Sequence, residues 1–198
     1  PASNAQDYIS DCLNSVLVQT LSDIEILVVD DGSTDDTLSC VQALAVSDSR
    51  IRVFSQQNQY AGVARNKGIS EASGQFLYFL DADDWIEPDA LQVMVDSANR
   101  YDSDIVIARS EAFENRSGSA WMLGYALNGV PYDTVLKPSD YADHLFQYFM
   151  GWPWDKLYRR DFVVREQLQF QSLRTTNDAY FVFCSLALAS SVTCCDKI

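Results

Sequence analysis

The stretch VVDDGSTDDT, residues 28–37, ends an apolar run with four carboxylates inside seven positions. Like charges this close repel one another and resist burial, so the segment loses stability unless a cation or hydrogen-bond donors offset them. The run before it, IEILVV at 24–29, is short and continuously apolar, the pattern of a strand covered on both faces. After it, Ser33 or Thr34 is placed to cap a helix through about Val46, with Asp35 and Asp36 in a first turn whose dipole favours negative charge.

The alternation of strand and helix continues outward from this point. Tyr8, Ile9, Cys12, Leu13, Val16 and Leu17 recur at helical spacing ahead of it. Behind it the pattern predicts a strand over 51–55, a helix over 61–72, a strand over 76–80, a helix over 88–101 opened by Pro88, and a strand over 104–108. Such a series predicts an α/β fold, a mainly parallel central sheet with helices on both faces, which binds ligands beyond the carboxyl ends of its strands. Asp30-Asp31 and Asp81-Ala82-Asp83-Asp84 both fall at such ends, so two acidic clusters about fifty residues apart are expected to meet at one edge. After Ala108 the regularity weakens: residues 113–137 read as a long loop or short antiparallel excursion, followed by helices over about 139–150 and 178–189.

A chain of 198 residues, 47% hydrophobic, can bury the core of one domain covering 1–198. It begins at Pro1 rather than Met and reads as a trimmed piece. The longest apolar run, YFVFCSLALA at 180–189, is shorter than the roughly 20 residues that cross a bilayer, so no membrane span is expected. With 28 acidic against 14 basic residues, the net charge of −14 argues against nucleic acid and anionic lipid as partners. Five cysteines without metal-ligand spacing read as reduced thiols of a cytoplasmic protein. Peripheral attachment at the inner face of a membrane stays open. The sequon Asn115-Arg116-Ser117 is of a kind that arises often by chance.

FLDADD places Asp81 and Asp83 two apart after a buried strand, oxygen ligands suited to a hard cation such as Mg²⁺ or Mn²⁺. Taken one at a time, these aspartates are better read as caps, turn formers and solvated charges. Their context decides: QTLSDIEILVVDDGSTDDT, then IRVFSQQNQYAGVARNKGI, then GQFLYFLDADDWIEPDAL, then DKLYRRDFV, in this order and spacing, resemble the catalytic domain of the family 2 glycosyltransferases, with the Rossmann-like GT-A fold.

The resemblance implies a role for each segment. Asp30 and Asp31 would bind the base and ribose of a nucleotide, and Arg65, within Gly62-Val63-Ala64-Arg65-Asn66, would contact the base or diphosphate. Asp81 would lie near the ribose, Asp83 would hold the divalent metal on the diphosphate, and Asp84 would stand behind them. The base of such enzymes is an acid late in the domain, commonly in a Glu-Asp pair at a helix start; here Asp178 matches the second member and Asn177 replaces the first. Asp178 is therefore the candidate base, and direct attack by an acceptor hydroxyl would invert the sugar's configuration. The family's opening strand, which ends before a Pro-x-x-Asn turn, is missing ahead of Pro1-Ala2-Ser3-Asn4, and so is the Gln-x-x-Arg-Trp element of its processive members.

The resulting expectation is transfer of one sugar from a nucleotide-sugar donor, a UDP-sugar, to a hydroxyl of a glycan or lipid-linked saccharide. Two other classes stay open at this stage. A sugar nucleotidyltransferase would call for a Gly-rich loop with Arg and Lys near the amino terminus, which is absent; a non-catalytic sugar- or nucleotide-binding module would not need Asp178. Arg65 as a surface partner of acids, Asp178 as a helix-end acid, and Trp152 and Trp154 as packing residues are the plainer readings of those side chains.

Overall fold

The computed structural model describes residues 1–114, 119–122, 127 and 129–196; the sequon at 115–117 lies outside them. Helix α1 (Ile9–Leu17) buries Ile9, Cys12 and Leu13. Strand β1 (Ile26–Asp31) is buried at every position but Leu27 and pairs in parallel with β2 (Ile51–Gln56), setting Asp30 opposite Ser55 and Asp31 opposite Gln56. Between them α2 (Thr37–Ser47) starts later than expected. Ser33 and Thr34 are bonded instead to Asn4, and Asp35 accepts from Thr37 N at 3.0 Å and Thr37 Oγ1 at 2.6 Å, an Asx turn that delays the helix.

Helix α3 (Tyr60–Glu71) leads to β3 (Phe76–Tyr78), and α4 (Ala90–Tyr101) to β4 (Ile105–Ala108). Strands β5 (Glu111–Glu114) and β6 (Ser119–Met122) form the antiparallel excursion expected after Ala108. There follow β7 (Val135–Leu136), α5 (Pro138–Tyr141), α6 (Leu145–Tyr148), β8 (Lys156–Arg159), α7 (Arg160–Arg165), α8 (Ala179–Leu188) and β9 (Val192–Cys195). The single helix expected over 139–150 is thus two short helices joined by a 3₁₀ turn at Ala142–His144.

The larger sheet has the order β3-β8-β4-β9-β7, and β8 enters antiparallel to both neighbours. Of its four pairings only β4–β9 is parallel, so this sheet is mixed where the sequence pattern suggested a mainly parallel one. Helices cover both faces. Ile105 and Ile107 of β4 pack with Phe181, Val182 and Leu186 of α8, while the intervening Val106 packs with Met94 and Ala98 of α4.

Strands β1 and β3 share no backbone ladder. Between them lies a cavity of about 500 Å³ whose lining includes Val28 and Val29 of β1, Leu77 of β3 and Phe79 just after it. At its end Ala2 runs parallel to β1, donating from its N to Val29 O (2.9 Å) and accepting at its O from Asp31 N (2.8 Å).

Helix α3 docks on the segment leading into α8. Asn66 grips Phe170 through both of its backbone groups, each at 2.8 Å. A Cβ on Gly62 would stand 2.2 Å from Gln171 O and 3.1 Å from Asn177 Cβ, whereas one on Gly68 would meet nothing within 4 Å. Gly62→Ala is therefore expected to destabilise the fold by about 1–3 kcal/mol, because the overlap is with backbone. Gly68→Ala in the same helix should be stabilising by roughly 0.5–1 kcal/mol. Equal effects of the two changes in urea unfolding would contradict this packing.

Candidate active site

Asp30 and Asp31 end β1 with only 2% of their surface exposed. Their burial is made tolerable by neutral donors. Ser55 Oγ (3.2 Å) and Ser33 N (3.3 Å) donate to Asp30, and Gln56 Nε2 and Gln59 N, both at 2.8 Å, donate to one oxygen of Asp31. Gly32 makes the turn behind them at φ +70, with its Cβ position 2.9 Å from Asn58 N, so a side chain there is opposed by both conformation and space.

The second cluster follows β3. Asp83 is exposed, while Asp84 is partly buried and pushed up to about 6, first by burial and then by the charges of Asp83 and Asp81. The Cys12 thiol, which donates to Asp81 O at 3.4 Å, is pushed up to about 12, mainly by burial. Its sulfur feels Asp84, Asp81, Asp83 and the Pro1 amine, and that amine in turn feels Arg65, Asp81 and Asp31. The two acidic clusters thus share one edge of the molecule, around Pro1 and Cys12.

Arg65, expected to contact the base or diphosphate of a nucleotide, is held by internal partners. Only 6% exposed, it donates from Nη2 to Asp81 Oδ1 at 2.5 Å and from Nη1 to Asn177 Oδ1 at 2.9 Å, with its guanidinium over the Phe170 ring at 5.3 Å. Its Nε is buried without a partner among the described residues. Arg65 is a brace between the second acidic cluster and the start of α8. It is not the surface residue of the plainer reading either.

Asp178 sits at the N-cap position of α8, partly exposed, and its side chain makes no capping hydrogen bond. This removes the observation that would make it a structural cap. Just before it, Thr176 takes φ 55, a left-handed conformation uncommon for a β-branched residue, and Asn177 is held by Arg65. The strained turn and the brace together fix where the carboxylate of Asp178 begins.

Sequence reasoning passed over the Asp155-Lys156 pair, quoted only as part of a motif. Lys156 has no exposed surface and binds Asp155 Oδ1 at 2.6 Å beneath the loop carrying Trp152 and Trp154. A charged residue inside a strand carries no apolar signal, which also hid β8. Among the described residues no group of three or more His, Cys, Asp or Glu converges as a metal cage. No described helix is long and apolar enough to cross a membrane.

Comparison with known proteins identifies the family. The model of the family described as Glycosyl transferase family 2 matches residues 1–165. The putative glycosyltransferase EpsH of Bacillus subtilis (strain 168) is 36% identical over 194 residues, 96% of this chain and 55% of that protein. Chondroitin synthase of Escherichia coli is 34% identical over 155 residues, 78% of this chain and 22% of that protein. The chain therefore spans about half the length of the Bacillus relative and less of the other. Among solved structures, S. aureus TarS 1-349 in complex with UDP-GlcNAc superposes with a TM-score of 0.78 at 23% identity, covering 98% of this chain and 54% of that one. Mannosyltransferase PcManGT from Pyrobaculum calidifontis, in complex with GDP-Man and Mn²⁺, superposes at 0.70 with 17% identity, covering 99% and 53%. At such identities these two establish the fold alone. On the family match and the shared architecture, the chain belongs to glycosyl transferase family 2 and has the GT-A fold.

Proposed function

We propose that this domain transfers one sugar from a nucleotide-sugar donor, UDP-linked, to an acceptor hydroxyl of a glycan or lipid-linked saccharide, with inversion. The observation that carries this reading is the uncapped Asp178 carboxylate, tied through Asn177 and Arg65 to Asp81 of the acidic cluster. A base and a donor-binding carboxylate are thereby held by one rigid brace. Asp30 and Asp31 lie at the far side of the same edge, where the base and ribose of the donor would be bound. UDP-GlcNAc and GDP-Man in the two structural relatives support a nucleotide-sugar donor.

The acidic cluster fits a divalent cation, Mg²⁺ or Mn²⁺. Asp84 is driven up by burial and then by the charges of Asp83 and Asp81, and Asp81 is already shared with Arg65, leaving Asp83 as the exposed oxygen ligand. Few protein ligands are needed where diphosphate oxygens complete the shell, and the bound ion supplies Lewis-acid stabilisation of the leaving diphosphate. Asp178 would take the proton of the attacking hydroxyl. The five cysteines are all free thiols, which supports a reducing, cytoplasmic setting.

The slot between β1 and β3 suits the family's opening strand. Most of its lining is apolar, and Ala2 already runs parallel to β1 at its mouth. A segment of about five residues ahead of Pro1 would span it at ~3.3 Å per residue and join the two sheets. Extending the chain there with an apolar, β-branched segment is expected to raise the melting temperature, and a charged segment of equal length is not. If both extensions behave alike, the slot is not a strand site.

Two measurements test the site itself. Asp178→Asn should keep donor binding, followed by calorimetry with UDP and Mn²⁺, while losing transfer by about 10²-fold or more; undiminished transfer would remove Asp178 as the base. The raised Asp84 makes the second. Its folded-state value near 6 exceeds the unfolded 3.8, so its contribution to stability is fully present below about pH 4 and is lost as pH rises through about 6. Metal-free protein should therefore lose stability across that window relative to Asp84→Asn, and Mn²⁺ with UDP should flatten the difference. A difference that does not vary between pH 4.5 and 7.5 would refute the raised Asp84.

A further inference from the structure

The indoles of Trp152 and Trp154 stack on each other, centroids 4.6 Å apart and planes 14° from parallel, and both remain partly exposed. The loop that carries them is pinned at three backbone carbonyls. Lys156 donates from Nζ to Met150 O at 3.0 Å and Trp152 O at 2.8 Å, and Tyr78 Oη donates to Trp154 O at 2.5 Å. Burying an ammonium costs stability unless its donors are all used, and here Asp155 takes the third. An apolar anchor would fill this space with less penalty. What the charged anchor adds is a fixed position for the two indoles.

The ends of this loop reach the two halves of the site. A Cβ on Gly151 would stand 3.6 Å from Ala179 Cα and 3.1 Å from Phe183 Cε2, so the loop abuts the first turn of α8, next to Asp178. At the other end Tyr78, which holds Trp154 O, lies close enough to Asp84 and Asp81 to feel their charges. The aromatic surface extends beyond the loop through Phe183 to Phe146, 4.6 Å away and 73% exposed. The loop carrying the indoles therefore runs from the first turn of α8, next to the candidate base, to Tyr78 beside the acidic cluster.

We propose that Trp152 and Trp154 form the acceptor subsite, a platform for a neutral pyranose, with Lys156 as its positioning residue; this rests on the domain being a sugar transferase. A pyranose ring presents one face of polarised C–H bonds, which the negative face of an indole attracts, while its hydroxyls stay at the wet rim. The carboxylates of Asp81, Asp83, Asp84 and Asp178 around the platform select a neutral ring over a uronic acid.

The test is calorimetric titration of the whole chain with maltotetraose, cellotetraose and chitotetraose, and separately with UDP and Mn²⁺. At least one tetrasaccharide should bind the unmodified protein. Trp152→Ala should weaken that binding about tenfold, and Trp152→Phe should restore it to within about threefold, with UDP affinity unchanged in both. Lys156→Met should also weaken saccharide binding and spare UDP; if that variant does not fold, Trp154→Ala and Trp154→Phe take its place with the same expected pattern. No binding of any tetrasaccharide by the unmodified protein, or equal binding by Trp152→Ala, overturns the subsite. Failure of UDP to bind the unmodified protein instead overturns the transferase reading, and the saccharide titrations remain interpretable by themselves.

Discussion

Arg65 reaches from α3 to Asp81, 16 residues away, and to Asn177, 112 residues away, and it can be buried only because both partners are present. A guanidinium withdrawn from water needs partners to offset its charge, and its planar fork makes two simultaneous partners geometrically natural. Removing either partner would leave a buried charge partly uncompensated, which costs more than the pair gains by forming. The brace thereby makes the position of the acidic cluster and the start of α8 mutually dependent. Gly62 and Asn66 on the same helix serve the same docking, one by letting backbones approach and the other by holding Phe170 at both of its peptide groups.

The two acidic clusters meet the same physical problem with different means. Asp30 and Asp31 are buried and stabilised by neutral donors at fixed places along β2 and the turn after it, so they are settled without a cation. Asp81 is paired with Arg65, and Asp84 is raised first by burial and then by the charges of Asp83 and Asp81. The two clusters lie near one another at one edge, both close to Pro1 and Cys12.

The regular first half of the chain was legible because each element there is one unbroken pattern: IEILVV for β1, the apolar spacing of α1, and the run from Pro88 to Tyr101 that contains α4. The second half was less so. Strand β8 carries a buried Lys156, β9 is the four residues VTCC, and the stretch 138–148 breaks into short turns of helix, so none of them presents a periodic apolar signal. The antiparallel entry of β8 depends on which edge partners are free when it docks, a long-range fact with no local trace.

What the sequence determined by itself was the residue chemistry and its order: acids at the ends of two strands, an arginine on the helix between them, and an acid at the start of a late helix. These are properties of segments a few residues long, where burial and local turn geometry already constrain the side chain. Only the tertiary structure decided what those residues face. It turned Arg65 inward as a brace, left Asp178 without a capping bond, and fixed Trp152 and Trp154 over a buried lysine. Those outcomes depend on contacts between residues up to 112 positions apart, whose pairing is selected by the packing of whole elements and by the need to satisfy every buried charge.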